Sequence, residues 1–388
     1  KLHSFPPTIE KETYDAAKPH FAASLQAFQQ SGKTLVDLFG FLIKQMGAGI
    51  RPYLVHWAKK EGLSNNLSST KVAEAPPLAP ESLEEFLETQ DMYDITDNLR
   101  LIAALTSFHE RKPTETEIKA GQEALELVLV RNAQRIVREG NGDRQAIFGQ
   151  LLELYENQPN LNSRSSTSMS NQAYSTPLPL AYLASELSGI NSGTTVYEPT
   201  AGNGALLIGA NPVKTVVNEL NSERAQNLRK LGFASNEFDA TSWKPGSVYD
   251  AAIMNPPFGA LDKAVKVDGY TISKIDHLIV TKALENLNNS GRATLIIGAN
   301  KDAGQTSQKT KIFLNWLYAQ YNVIDHFEAA GDLYRKQGAQ WPVAVITING
   351  RKASDQVFDR NVERYSTWSE VNEHVTSVLD SEGFTGRT

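Results

Sequence analysis

Cysteine is missing from all 388 residues, and with it go disulfides, thiolate metal sites, thiol redox relays and any cysteine nucleophile. Histidine is sparse: His3, His20, His56, His109, His277, His326 and His374 lie far apart and form no H-E-x-x-H pattern. No protein-built metal site is therefore expected. The chain also lacks a long apolar run. The best stretch, Leu35 to Ile43, contains Asp37 and ends at Lys44, too short and too broken to cross a bilayer. Neither a signal peptide nor an anchor is visible, and a start at Lys1 rather than Met leads us to expect residues before it. There is no excess of positive charge either. Lys plus Arg is 38 against 44 for Asp plus Glu, net −6, which argues against a surface that grips nucleic acid everywhere. Hydrophobic residues at 40% and charged residues at 21% exclude disordered, collagen-like and coiled-coil classes.

What is present is length enough for two or three domains. Residues 1–160 read as an all-α domain, with apolar three-and-four spacing through Leu35, Leu38, Phe39, Leu42, Ile43 and Met46. A connector at 64–80 carries Pro76, Pro77 and Pro80. Thr114 with Glu117 predicts a capping box opening a helix of about 24 residues that Gly140 closes. A Ser-rich linker is expected at 161–172. From Ala173 to Lys352 short β-rich runs alternate with helical patterns, which predicts an α/β domain with a doubly wound, Rossmann-like sheet. Val323–Phe327 and Val343–Ile348 read instead as an antiparallel hairpin at the sheet edge. Residues 353–388 form an extension with one short helix, capped by Thr367 and Glu370.

Chemistry concentrates at four places. In Val196-Tyr-Glu-Pro-Thr-Ala-Gly-Asn-Gly-Ala205, Gly202 and Gly204 would let a strand turn tightly into an apolar helix start and approach a ligand. The third position after Gly204 is Leu207 rather than glycine, which departs from the dinucleotide fingerprint. Glu198, followed by Pro199, suits an ammonium group better than a pyrophosphate. An ordinary βα turn reads the same way when this stretch is taken alone. Glu219, ending the next strand, can accept both hydroxyls of a ribose. Asp239, with Ala240 beside it, follows a further strand and can accept from an adenine amino group. An amine, a ribose and an adenine together describe S-adenosyl-L-methionine (AdoMet) better than a nicotinamide dinucleotide.

The fourth place is Asn255-Pro256-Pro257-Phe258, directly after the strand that opens at Tyr249. Two prolines keep the backbone rigid and extended, so its carbonyls stay out of helical bonds. The Asn255 side-chain oxygen and the Pro256 carbonyl can then accept from one exocyclic amine. Phe258 can stack on the ring that bears it. A Pro-rich turn with a core Phe is the bland alternative.

These residues resemble the amino-methyltransferases, whose signature is [DNS]-P-P-[FYW], and specifically the gamma-order N6-adenine DNA methyltransferases. The resemblance covers about residues 170 to 350. In that order a Y-x-T-P element precedes the glycine loop, and Tyr174-Ser175-Thr176-Pro177 stands there. The resemblance implies that Tyr174 and Thr176 contact the methionine end of AdoMet. It implies duplex DNA as partner, with the target adenine flipped out of the stack. More narrowly, 158–190 resembles the DarB-type antirestriction group of phage polyvalent proteins. That likeness implies a helicase or specificity module, fused or associated, and a place in the bacterial cytoplasm or a phage particle. Methylation subunits of type I restriction systems, RNA guanine-N2 and protein glutamine-N5 methyltransferases use related chemistry and stand as alternatives. So does a methyltransferase fold kept only as a nucleic-acid binding module, which the intact Asn255 to Phe258 motif disfavours. Cytosine-C5 enzymes are excluded, since they require a cysteine nucleophile.

Between Asn255 and Lys352 twelve Lys or Arg face eight acids, a local +4 in an acidic chain, though a chance fluctuation on a solvated surface would look the same. Within it, 261–275 is expected to be a loop closing over the flipped base, with Lys263, Lys266 and Lys274 on phosphates. About 36 residues follow the final hairpin and hold no groove-reading module, so relaxed sequence specificity is expected.

Overall fold

The structure is a computed structural model and describes residues 82–90, 94–161, 174–354, 358 and 362–383, with scattered helical positions between 14 and 60. The connector expected at 64–80 and residues 162–172 of the expected linker lie outside the described residues, as do Leu35, Phe39, Ile43 and Met46. The chain divides into two compact units, Lys1–Ala79 and Pro80–Thr388. In the first, the described positions are helical, as the apolar spacing predicts. Leu38, Leu42 and Leu54 are buried, and Phe21 sits 5.6 Å from Trp57, ring centre to ring centre.

The second unit opens with α1 (Leu83–Thr89), α2 (Asn98–His109), α3 (Glu115–Glu139) and α4 (Arg144–Asn157). Each begins at a polar N-cap, Ser82, Asp97, Thr114 and Asp143, whose side chain accepts an otherwise orphaned backbone N–H. The Thr114–Glu117 capping box forms as expected, and Gly140 closes α3. Next comes α5 (Leu178–Leu187), buried along its whole length.

An eight-stranded sheet follows. Its strands in chain order are β1 (Val196–Glu198), β2 (Thr215–Asn218), β3 (Ala234–Asn236), β4 (Tyr249–Met254), β7 (Leu287–Gly298), β8 (Val323–Ala329), β9 (Val343–Asn349) and β10 (Arg364–Tyr365). A separate ribbon pairs β5 (Ala260–Val267) with β6 (Tyr270–Lys274). Interleaved are α6 (Ser222–Lys230), α7 (Ile275–Leu284), α8 (Gln308–Gln320) and α9 (Trp368–Ser381).

The spatial order β10-β8-β9-β7-β4-β1-β2-β3 is parallel throughout except for β9, which runs against both neighbours. This is the expected Rossmann-like sheet. From β1 the chain steps outward to β2 and β3, then returns to β4 on the other side of β1. That reversal opens a crevice at the carboxyl ends of β1 and β4. Side chains alternate across the sheet: Ala251, Ile253 and Ile296 join the core beneath α3, α4, α5 and α9, whereas Ala252, Met254, Leu295 and Ile297 join the core beneath α7 and α8.

The structure differs from expectation in four respects. Helices α1–α4 do not belong to a domain of their own but lie in the same compact unit as the sheet, because their apolar faces share one core with it. Tyr155 on α4 donates to the Leu333 carbonyl at 2.6 Å across that junction. The β8–β9 hairpin is not at the edge, since β10 pairs in parallel outside β8. The helix start expected after Gly204 is a single 3-10 turn at Ala205–Leu207, and Pro212 soon follows. The stretch 261–275 is no loop but the β5–β6 ribbon running into α7. Its turn is Asp268-Gly269, both with positive φ (49° and 86°), the conformation an Asp-Gly hairpin adopts readily.

Candidate active site

A cavity of about 590 Å³ occupies the crevice where the strand order reverses. Its walls carry Tyr174, Thr176, Glu198, Pro199, Gly202, Glu219, Asp239, Ala240, Asn255, Pro257 and Phe258, whereas Gly204, Pro256, Lys263, Lys266 and Lys274 do not line it.

Glu198 ends β1 with its side chain 1% exposed, and its Oε2 is buried without a hydrogen-bond partner. Burial, and then the neighbouring Glu219, push its carboxyl well above the usual range. Thr200 Oγ1 is likewise buried and unpartnered. Around them the glycine loop turns through positive φ at Gly202 (56°) and Gly204 (88°). The two glycines serve different ends. A Cβ at Gly202 would meet nothing, consistent with a place beside the cavity, whereas one at Gly204 would stand 3.0 Å from Leu231 and 3.2 Å from Leu228. Gly204 therefore permits close packing of the loop on α6 rather than approach to a ligand, and it does not line the cavity.

Glu219 follows β2. Its Oε2 accepts from the Gly202 N–H and its Oε1 from the Asn221 N–H, both at 2.8 Å. Each oxygen keeps a second lone pair for a ligand hydroxyl. Asp239 lies three residues beyond β3 in a turn, where Oδ1 accepts from the Thr241 N–H and hydroxyl. Asn218 ties these strand ends together. It donates to the Pro199 and Phe238 carbonyls at 3.0 and 2.8 Å and accepts from the Phe238 N–H. The apolar faces of Leu220 and Phe238, both well exposed, line the cavity at this end.

Asn255 stands directly after β4. Its Nδ2 donates to Thr176 Oγ1 at 2.9 Å, which leaves Oδ1 as the free acceptor of the amide. Phe258 packs against Gly298, where a Cβ would lie 3.3 Å from the ring. Pro256 is buried and does not line the cavity; it lines a small hollow with Tyr174, Asn255, Phe258, Tyr334 and Trp341. Trp341 is 48% exposed and is oriented by donation from Nε1 to the Ala299 carbonyl at 2.7 Å.

The three lysines are not brought to the cavity. Lys263 and Lys266 are exposed on the ribbon. Lys274 instead donates to Thr310 on α8 at 3.0 Å, and burial lowers its pKa. Asp268 at the ribbon tip accepts from Trp316 Nε1 at 2.9 Å, which fixes the ribbon to α8.

Sequence reasoning missed residues with no motif around them. The most consequential is Glu126, in the middle of α3, which lines the cavity although it precedes the sheet by about seventy residues. A buried acid among Leu125, Leu127 and Val128 was its one visible signal.

No protein-family model matches the chain. No curated protein matches its sequence. Among solved structures, a protein assigned to the class I S-adenosylmethionine-dependent methyltransferases from Listeria monocytogenes aligns over 78% of this chain and 97% of its own, at 13% identity and TM-score 0.42. The methyltransferase subunit of a type I restriction-modification system from Streptococcus thermophilus aligns over 77% and 92%, at 14% identity and TM-score 0.39. A tRNA m1G37 methyltransferase from M. jannaschii covers 47% of this chain and 50% of its own, at 14% identity and TM-score 0.31. At such values the site has to be read from its own geometry.

Proposed function

We propose that this chain is an AdoMet-dependent methyltransferase acting on the N6 amine of adenine in DNA. The observation that carries the reading is a juxtaposition across the crevice. A buried carboxylate oxygen without a partner (Glu198) and a carboxamide oxygen left free by its own hydrogen bond (Asn255) face one cavity from adjacent strands.

The residues present fit the cofactor. Glu198 would take the methionine ammonium, Glu219 the ribose hydroxyls and Asp239 the adenine amine, with Leu220 and Phe238 against the adenine faces and Tyr174 and Thr176 at the methionine end. When bound, AdoMet supplies an electrophilic methyl group on a sulfonium. For its part, the chain holds the incoming amine. Thr176 fixes the Asn255 amide so that Oδ1 points to the acceptor side, and the Pro256 carbonyl, locked out of helical bonding, accepts the second N–H. Two acceptors on one amine draw its lone pair out of the ring, toward the methyl carbon, and need no nucleophile or metal from the protein. As the nitrogen–methyl bond forms the methyl–sulfur bond would break, with S-adenosylhomocysteine leaving with that electron pair, and the proton lost from the amine leaves to solvent. Phe258 stacks on the flipped base.

Lys263 and Lys266 stand on the ribbon where phosphates can be met. Such contacts are the same for every sequence, which supports relaxed specificity. An enzyme of that kind would suit blanket protection of phage DNA against restriction, inside the host cell. No described helix is long and apolar enough to cross a membrane.

Transfer of labelled methyl from AdoMet to duplex DNA, single-stranded DNA, RNA and protein, followed by nucleoside and amino-acid analysis, tests the reading. N6-methyladenine in DNA at many sequence contexts is expected. Label in RNA guanine or protein glutamine would replace the substrate, and completion at one long sequence with neighbours untouched would overturn relaxed specificity.

A further inference from the structure

The cavity holds a second buried carboxylate whose surroundings do not account for it. Glu126 on α3 is 7% exposed. Its Oε2 accepts from Asn203 Nδ2 at 3.0 Å, and it is hydrogen-bonded to the Ser175 hydroxyl. It thus touches two segments that line the crevice, the glycine loop and the Tyr174-Ser175-Thr176 element.

A scaffolding role does not require its charge. Asn203 is held without it, since Nδ2 also donates to Glu123 Oε2 at 2.7 Å and Oδ1 accepts from Asn227 Nδ2 at 3.0 Å. The nearby cation is engaged elsewhere. Arg224 forks onto both oxygens of Glu123, at 3.2 and 3.0 Å, and acts on Glu126 only through space. Burial, and then Glu123, raise the Glu126 carboxyl above its usual range, so these surroundings disfavour its charged form. On the adjoining strand Glu198, buried and with one oxygen unpartnered, meets the same difficulty. Two buried carboxyls lining one cavity call for a cation within it.

We propose that Glu126, from a helix outside the sheet, is a cofactor-binding residue that shares the methionine ammonium with Glu198. This rests on the AdoMet reading and adds to it a ligand contributed by the region before the sheet. Helix α3 then belongs to the binding site rather than to a separate domain.

Calorimetric titration of wild type and Glu126→Gln with AdoMet, S-adenosylhomocysteine and 5′-methylthioadenosine tests it. The substitution is isosteric and keeps an acceptor for Asn203. The first two ligands carry the ammonium, AdoMet alone carries the sulfonium, and methylthioadenosine carries neither. Expected is a loss of roughly tenfold or more for AdoMet and S-adenosylhomocysteine alike, with methylthioadenosine within about twofold of wild type. Equal loss of all three by a folded variant, or no loss of any, would overturn the proposal and leave the AdoMet reading standing. Loss confined to AdoMet would overturn it too, by moving the charge to the sulfonium. A wild-type protein that bound none of them would overturn both. Should Glu126→Gln fail to fold, Glu126→Asp, which keeps the charge on a shorter arm, is judged by the same pattern.

Discussion

Two groups of residues line the crevice on opposite electrostatic plans. In the first, polar groups already have partners: Glu219 holds two backbone N–H groups, Asp239 holds Thr241, and Asn218 clasps the loops after β1 and β3. In the second, Glu198 and Thr200 have buried atoms with no partner, and Glu126 is an acid in a setting that resists its charge. The first group is preorganised and gains only modestly from a ligand. The second favours a cation, so ligand charge should matter there and ligand shape at the first.

The sharpest way to break this contrast is to remove the group that belongs to chemistry alone. Asn255→Ala should lower methyl transfer by ~100-fold or more, with AdoMet affinity close to wild type by calorimetry. An equal fall in affinity would place Asn255 among the cofactor contacts. Next in size, Glu219→Ala should weaken AdoMet by roughly 1 to 3 kcal/mol. Part of that loss would come from freeing the Gly202 and Asn221 N–H groups, so methylthioadenosine should weaken as well.

A smaller effect is expected from pH, and its sign follows from the second group. Burial and Glu219 hold the Glu198 carboxyl up, and burial and Glu123 hold Glu126 up. A bound cation favours the ionised forms, so binding should release protons. Affinity for AdoMet should then rise with pH from the ordinary carboxylate range up to the raised values and level off above them. Titrations in buffers of different ionisation enthalpy measure the protons directly. Proton uptake, or none at all, would contradict the preference of the second group for a cation. Smallest of all, Lys263→Ala with Lys266→Ala should weaken DNA evenly across sequences and flatten the salt dependence by about one per lysine. Lys274→Ala, whose ammonium is given to Thr310, should not change that slope.

Legibility from sequence followed how local each signal was. The β1 to β4 strand ends were readable as cavity-lining positions because each carries its candidate residue within a few positions of an apolar run, as Glu198 follows Val196-Tyr197 and Asn255 follows Met254. The capping boxes at Thr114 and Thr367 were readable for the same reason. Membership of α1–α4 in the sheet unit was not, because an amphipathic helix shows that it has an apolar face but not what covers it. Glu126 and Asn218 escaped because their partners are dozens of residues away or are backbone groups. The ribbon is a different case: Val267-Asp268-Gly269-Tyr270 is a hairpin signal of the strongest short-range kind, set among lysines whose charge reads equally as a basic loop.

The two outermost strands of the sheet bear on how the protein behaves in a crowd. On one side β3 spans Ala234–Asn236, and on the other β10 spans Arg364–Tyr365. A broad sheet normally exposes two rows of unpaired peptide groups onto which any extended chain can add. Here the long, apolar strands β7 and β9 are enclosed, and each margin offers only two or three residues, Arg364 among them. Within this sheet, hydrogen-bonding length is thus kept in the interior, and its margins offer little template for adding a further strand.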